Sequence, residues 1–332
     1  MSENPIVSVK MITYNHELYI AQAIEGVLKQ ETGYPFELII GEDRSTDRTL
    51  DIVLEYQSKF PDIIRVITAD ENVGAKKNSY RTGKACRGKY IAYCEGDDYW
   101  HHPHKLQKQV EYMESHPACG MIFSDCDVYH TESNKYKRSF NYNNGYQSAV
   151  DLTFEQILWG DIAKWTCTAM ARRDLYEKII EEDPYLHQSE QFLMGDLQLW
   201  AEMTLISKVS YIPDCFSTYR VLDESASRSK NSTKSLRFWK SASEIKLYLC
   251  DKHNLPDNHR RREELAWCYH SLRLSFYERN ADLALEVKNK KPLFTFKEWL
   301  LYFGARCLPV YYICHAAIFF IKILKKEKNV WP

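Results

Sequence analysis

Four short apolar runs in the N-terminal third alternate with segments of helical periodicity, and this order constrains the fold more than any other feature. The runs are Ile6–Ile12, Phe36–Ile40, Ile63–Ile67 and Tyr90–Cys94, each of a length and composition suited to a buried strand. Between them, Glu17–Gln30 places Ile20, Ala23, Ile24, Val27 and Leu28 on one helical face. A second helix carries Ile52, Val53 and Tyr56, with Thr46 or Asp47 as its N-cap, and a third lies near Asn78–Cys86. A βαβαβαβ order predicts a mostly parallel sheet with helices on both faces. In such sheets ligands bind beyond the carboxyl ends of the strands. Tyr14-Asn15, Glu42-Asp43 and Glu95–Asp98 all fall at those ends, so groups far apart in sequence are expected on one rim.

The last of these turns, Glu95-Gly96-Asp97-Asp98-Tyr99-Trp100, crowds three carboxylates at the end of a buried strand. Asp and Gly are ordinary turn residues. Three like charges in one turn nevertheless repel, and a cation relieves that repulsion. Hard oxygen ligands favour Mg²⁺ or Mn²⁺. A metal held by few carboxylates commonly has phosphate as its other partner, which points to a metal–diphosphate substrate.

Beyond the turn, His102-Pro103-His104-Lys105 opens a helix with Leu106, Val110 and Met113 on one face. His101, His102 and His104 read as the surface of that helix start rather than as metal ligands. Cys119–Phe123 is a strand ending in Ser124-Asp125, and residues 130–148 read as a mobile polar loop. Trp165–Ala171 is a candidate strand, Phe192–Ile206 a helix and Val209–Ile212 a short strand. Ser225–Ser235 looks like a boundary, and the chain beyond it reads helical to Leu324. The 332 residues carry a net charge of −1, so charge gives no support for a nucleic-acid partner. The ten cysteines form no CxxC pair, which argues against a cysteine zinc site. The first residues lead straight into a strand with no signal peptide, and with unpaired thiols this predicts a reducing cytoplasm.

Five motifs in order resemble family-2 glycosyltransferases of the GT-A fold, the inverting sugar transferases of bacterial surface polysaccharide biosynthesis. They are Ser8–Asn15 with its Thr-Tyr-Asn, the Glu42–Asp47 turn, Asn72-Val73-Gly74, the DxD-like Glu95–Asp98, and Gly195-Asp196-Leu197-Gln198-Leu199-Trp200. Tyr211-Ile212-Pro213 and Tyr219-Arg220 resemble what commonly follows. The likeness spans residues 6–228. It implies an α/β fold, a Rossmann-like three-layer sandwich around a mostly parallel central sheet, with a helical C-terminal extension. The catalytic domain is expected at 1–228, its donor half at 1–100 and its acceptor half at 101–228, with a helical region at 229–332. Three positions depart from the family pattern: Glu95 stands for Asp, Glu42 and Arg44 stand for Asp and Gly, and Gly195 stands for Glu.

By the resemblance, Asp97 and Asp98 hold Mn²⁺ or Mg²⁺ on the diphosphate of a nucleotide-sugar donor. Glu95 reaches a ribose or a metal-bound water. Asp43 accepts a hydrogen bond from the nucleobase, and Thr13 and Tyr14 line its pocket. A carboxylate suits an imide N–H, which favours UDP or dTDP over GDP. Arg220 pairs with the diphosphate. Asp196 is the general base that deprotonates an acceptor hydroxyl on a saccharide or lipid-linked acceptor. Inversion is a single displacement, so no second, nucleophilic carboxylate is required. The rival readings are a sugar-nucleotide pyrophosphorylase, whose Gly-rich basic loop Thr13–His16 does not supply, and a non-catalytic nucleotide-sugar-binding protein. The apolar Leu300–Leu324, interrupted by Arg306, Pro309 and His315 and followed by lysines, reads as an interfacial amphipathic segment. Residues 300–328 are therefore expected to seat the protein peripherally on the inner face of the cell membrane, with core packing or a dimer contact as the alternatives.

Overall fold

A computed structural model describes residues 4–223 and 231–316. The chain divides into two compact units, one running to Leu222 and one starting at Asp223.

The first unit begins with β1 (Val7–Thr13), α1 (Ile20–Leu28), β2 (Phe36–Glu42), α2 (Thr49–Lys59), β3 (Ile64–Ile67), α3 (Ala75–Ala85) and β4 (Tyr90–Tyr93). These four strands run parallel, in the spatial order β3, β2, β1, β4. Alternation along each strand sorts its side chains to two faces. Val7, Val9 and Met11 of β1 join Leu38 and Ile40 of β2 in one core, covered by Ile20, Ala23, Ile24 and Val27 of α1 and by Val53 of α2. The opposite face of β1 carries Ser8 and Lys10, both buried. There α3 supplies the polar partners: Lys10 Nζ donates to Ser79 Oγ at 2.7 Å, and Asn78 Nδ2 donates to the Gly41 carbonyl at 2.7 Å. The N-cap of α2 is Arg48 rather than the expected Thr46 or Asp47, because Asp47 sits one residue further out, where its Oδ1 accepts from Thr49 N at 2.9 Å.

The chain continues through β5 (Tyr99–Trp100), α4 (Lys105–Ser115), β6 (Cys119–His130), β7 (Lys135–Lys137), α5 (Phe140–Asn143), β8 (Val150–Leu152) and α6 (Phe154–Trp159). A single turn of 3₁₀ helix at Thr166–Thr168 leads to β9 (Met170–Arg172), α7 (Arg173–Glu182), α8 (Pro184–Gln188), α9 (Leu197–Ile206) and β10 (Lys208–Val221). β9 sits antiparallel between β4 and β6, β10 runs parallel to β6, and β5 closes the edge antiparallel to β10.

Several expectations for this half are corrected. The strand expected at Cys119–Phe123 runs on to His130, because its interruptions, Asp125 and Asp127, are satisfied by backbone donors. Asp125 accepts from Asn141 N and Tyr142 N at 2.9 and 3.1 Å, and Asp127 accepts from Ser139 N at 2.9 Å. The same bonds organise residues 130–148, read as a loop, into β7 and α5. The candidate strand at Trp165–Ala171 is a 3₁₀ turn followed by the three-residue β9. The helix expected from Phe192 starts only at Leu197, capped by Asp196, and the strand at Val209–Ile212 is the opening of the long β10.

The second unit holds α10 (Ser232–Lys252), α11 (Asp257–Glu278), α12 (Ala281–Lys290) and α13 (Phe296–Arg306), then a helical segment at 308–316. Asn231, Asn280 and Thr295 cap three of these helices through their side chains. Trp267, Cys268, Leu272 and Val287 form their core, with Leu283, Phe294, Leu301 and Tyr302 packed against it. Most of the expected boundary at Ser225–Ser235 and the end of the apolar tail, 317–332, lie outside the described residues. Among the described residues no helix is long and apolar enough to cross a membrane.

One close approach fixes β5 to the core. A Cβ on Gly26 of α1 would lie 2.5 Å from the Trp100 carbonyl oxygen. Backbone cannot yield as a side chain can, so Gly26→Val is expected to lower the unfolding free energy by about 1–3 kcal/mol, the usual range for overpacking. Chemical denaturation monitored by Trp fluorescence measures this, and an unchanged midpoint would show that α1 does not clamp β5.

Candidate active site

The carboxyl ends of β1, β2 and β4 carry three polar loops that interlock. Thr13 pairs in register with Glu42. Glu42 is fully buried, and its two carboxylate oxygens accept from Arg44 N at 3.1 Å and Ser45 N at 2.7 Å. Its turn therefore folds around its own side chain. Asn15 adopts a left-handed backbone, φ 55°, and joins the neighbouring loop through Oδ1, which accepts from Thr46 N at 2.8 Å. Asp43 bridges to the loop between β3 and α3, with Oδ1 accepting from Val73 N and Oδ2 from Gly74 N, both at 2.9 Å. It is 2% exposed, with the Arg81 guanidinium 3.9 Å away. Tyr14 stands at the same rim, 40% exposed.

The acidic turn extends the sheet ladder by one bond, Gly96 N donating to the Ile12 carbonyl at 3.0 Å. Only glycine fits there, since a Cβ would meet the Thr13 side chain at 2.6 Å. Thr13 thus packs beneath the turn. Glu95, Asp97 and Asp98 bring one oxygen each to within 4.8 Å of the others. Asp98 is buried; its Oδ1 accepts from Arg220 N at 2.7 Å, while Oδ2 is buried with no hydrogen-bond partner. Burial, followed by the charges of neighbouring groups that include Asp97 and Glu95, holds the Asp98 carboxyl well above the usual range. Glu95 is pushed up to about 8, first by burial and then by repulsion from Asp97 and Asp196. An unsatisfied buried oxygen among three mutually repelling carboxylates fits a divalent cation, and an all-oxygen set suits Mg²⁺ or Mn²⁺.

Arg220, on β10, arrives from the other half of the sheet. Its guanidinium donates to the Asp97 carbonyl at 2.5 Å and to Gln22 Oε1, and lies over the Tyr19 and Tyr99 rings at 5.1 and 4.6 Å. Its polar contacts are thus to the acidic turn and α1, whereas sequence reading placed it on diphosphate.

Asp196 caps α9, with Oδ1 accepting from Leu197 N at 2.8 Å and Oδ2 from Thr166 Oγ1 at 3.2 Å. Burial raises its carboxyl above the ordinary range, against the pull of these donors and of Lys10. Asp196 raises Glu95 through space, and both feel the Lys10 ammonium, itself lowered to about 8 by burial. Thr166 also hydrogen-bonds Glu95. The structure therefore brings Asp196 into the electrostatic neighbourhood of the acidic turn. Sequence reading missed Thr166 and Lys10. Lys10, an ammonium inside an apolar strand, was the one visible signal; a threonine on an irregular turn gives none.

Residues 8–180 match the family described as Glycosyl transferase family 2. An uncharacterised protein of Mycobacterium tuberculosis is 41% identical over 129 residues, 39% of this chain and 37% of that protein. The chain thus spans little more than a third of that relative's length. TuaG of Bacillus subtilis, a glycosyltransferase assigned by its name to teichuronic acid biosynthesis, is 27% identical over 239 residues, 72% of this chain and 84% of that protein. Among solved structures, S. aureus TarS in complex with UDP-GlcNAc superposes with a TM-score of 0.55 at 18% identity, covering 90% of this chain and 79% of that one. A Pyrobaculum calidifontis mannosyltransferase in complex with GDP-Man and Mn²⁺ gives 0.57 at 15% identity, covering 94% and 87%. At these identities the likeness establishes the GT-A fold.

The raised carboxyls set a pH dependence for cation binding. Below about pH 8, Glu95 holds a proton in the cation-free protein, and burial raises the Asp98 carboxyl in the same direction. Those protons must leave before a dication is ligated, so affinity for Mn²⁺ is expected to rise with pH from 6 to 8. Calorimetric titration in buffers of different ionisation enthalpy will measure both affinity and proton release. A flat affinity with no protons released would show that the ion does not use these groups.

Proposed function

This chain belongs to glycosyl transferase family 2, and we propose that it is a metal-dependent inverting glycosyltransferase. It moves a sugar from a nucleoside-diphosphate donor, UDP by preference, to a hydroxyl of a saccharide or lipid-linked acceptor in surface glycan synthesis. The observation that carries this reading is the meeting of Asp196 with the Glu95, Asp97 and Asp98 turn at one rim, through Thr166 and a shared electrostatic field.

The donor half supplies recognition. Tyr14 offers an exposed ring for the nucleobase, and Thr13 supports the turn beneath the diphosphate. Each Asp43 oxygen spends one lone pair on a backbone N–H and keeps another for the imide of uracil or thymine. Asp97 and Asp98 are the residues that hold Mn²⁺ or Mg²⁺, and that ion supplies charge neutralisation to the departing diphosphate. Arg220 keeps the turn in place through the Asp97 carbonyl and the Asp98 carboxylate.

Asp196 supplies the chemistry on the acceptor side. As the acceptor oxygen bonds to the anomeric carbon, the bond from that carbon to the diphosphate oxygen breaks, and the hydroxyl proton passes to Asp196. A carboxyl raised by burial is a stronger base than a solvated one. The Thr166 hydroxyl and Leu197 N fix its orientation.

Membrane seating is supported by the apolar side chains exposed in the second unit: Phe296, Phe303, Leu308, Tyr312 and Ile313. Such a surface suits an interfacial segment.

Asp196→Asn is expected to lower kcat by about 10²–10⁴-fold, the usual contribution of a general base, with donor KM little changed. A nucleotide-sugar panel scored for transfer and slow donor hydrolysis, with and without Mn²⁺, provides the assay. Unchanged turnover in the variant would remove Asp196 from this role, and activity indifferent to EDTA would remove the metal.

A further inference from the structure

A second group of ligating side chains lies apart from the acidic turn, on elements the sequence keeps far apart. His101 follows β5, Asp127 lies within β6, and Cys215 lies in β10 where the pairing with β6 shifts register on both sides of it. Bulges of this kind re-aim a side chain. One ligand atom from each residue lies within 4.8 Å of the others. Cys215 Sγ is 3.7 Å from His101 Nε2 and 3.4 Å from Asp127 Oδ1, and His101 Nε2 is 3.9 Å from Asp127 Oδ2.

These separations carry the argument. Zinc bonds of about 2.3 Å to sulfur and about 2.0–2.2 Å to nitrogen and oxygen give tetrahedral edges of about 3.4–3.6 Å between ligand atoms. The observed separations, with Cys215 measured to Oδ1 of Asp127 and His101 to Oδ2, depart from this by about half an ångström at most, and a small rotation of the carboxylate presents one oxygen to both. The surroundings already orient the ligands. Asp127 Oδ1 accepts from Ser139 N at 2.9 Å, and Oδ2 is paired with the Arg138 guanidinium. The His101 ring is hydrogen-bonded to the Ser217 backbone. Carboxylate and imidazole ligands of metals are commonly held by such outer contacts.

We propose that His101, Asp127 and Cys215 form a second cation site, selective for Zn²⁺ or an ion of similar softness, that staples β5, β6 and β10 together beside the acidic turn. Thiolate and imidazole favour such an ion over the Mg²⁺ or Mn²⁺ suited to Glu95, Asp97 and Asp98. As the zinc–sulfur bond forms, the Cys215 thiol proton passes to solvent. The His101 side chain is about a third exposed, at 32%, which leaves room for water at the fourth position. Because β5 follows directly on Asp98, the staple fixes the far end of the acidic turn.

The test uses untagged, chelator-treated full-length protein titrated with Zn²⁺ alone and, separately, Co²⁺ alone. The expected result is one zinc per chain, a thiolate-to-cobalt charge-transfer band, and a melting temperature raised by zinc. Cys215→Ser is expected to abolish the band, and both it and His101→Gln to weaken zinc binding at least about ten-fold. His101 is partly exposed, so its variant keeps the test valid if Cys215→Ser fails to fold by circular dichroism. Absence of the band in the native protein, or zinc binding and thermal shift unchanged in His101→Gln, would overturn the proposal. It does not depend on the transferase reading, since no readout involves sugar transfer.

Discussion

Repulsion among three carboxylates at the end of one buried strand governs how the first unit is assembled. Glu95, Asp97 and Asp98 cannot all ionise comfortably in so little solvent, and burial raises two of them. The surrounding chain contains this stress with donors and backbone rather than with an adjacent basic side chain on the same loop. Gly96 continues the ladder from β1, Arg220 holds both the Asp97 carbonyl and the Asp98 carboxylate, and β5 is pinned between α1 and β10. A loop under such strain keeps its shape only because the elements around it come from both ends of the unit.

The half of the sheet built from β1 to β4 was largely legible in the sequence. Its strands are short, apolar and separated by polar turns, so the period of two and the helical period each announce themselves. β1 to β4 fall close to the expected runs. The half built from β5 to β10 hid its order. β6 contains Ser124, Asp125 and Asp127, and a strand with buried carboxylates breaks the apolar pattern. Those carboxylates are paid for by backbone donors from 139–142, a long-range arrangement that no local window can reveal. β9 is too short to read at all.

The candidate site shows the same division. Asp97, Asp98, Asp43 and Asp196 stand in recognisable motifs, and the structure places all of them at the rim or beside it. Their immediate partners were not foreseeable. Glu42, which reads only as a departure from the family pattern, serves as the internal prop of its own turn. Arg220, expected on the diphosphate, also grips the acidic loop. Thr166 links Asp196 to Glu95 from a stretch that reads as a strand. Chemistry-bearing residues are legible because their types are rare and clustered; the groups that aim them are ordinary residues made special by position.

The three-residue β9 is the seam between the two halves of the sheet. It pairs with β4 over Tyr90–Ala92 on one side and with β6 over Met121–Ile122 on the other. Narrow as the join is, the packing across it is continuous: Ile122 of β6, Met170 of β9 and Phe216 of β10 belong to the same core as Val9 of β1 and Leu38 of β2. A three-residue strand thus carries the register from one half of the sheet to the other through five residue pairings.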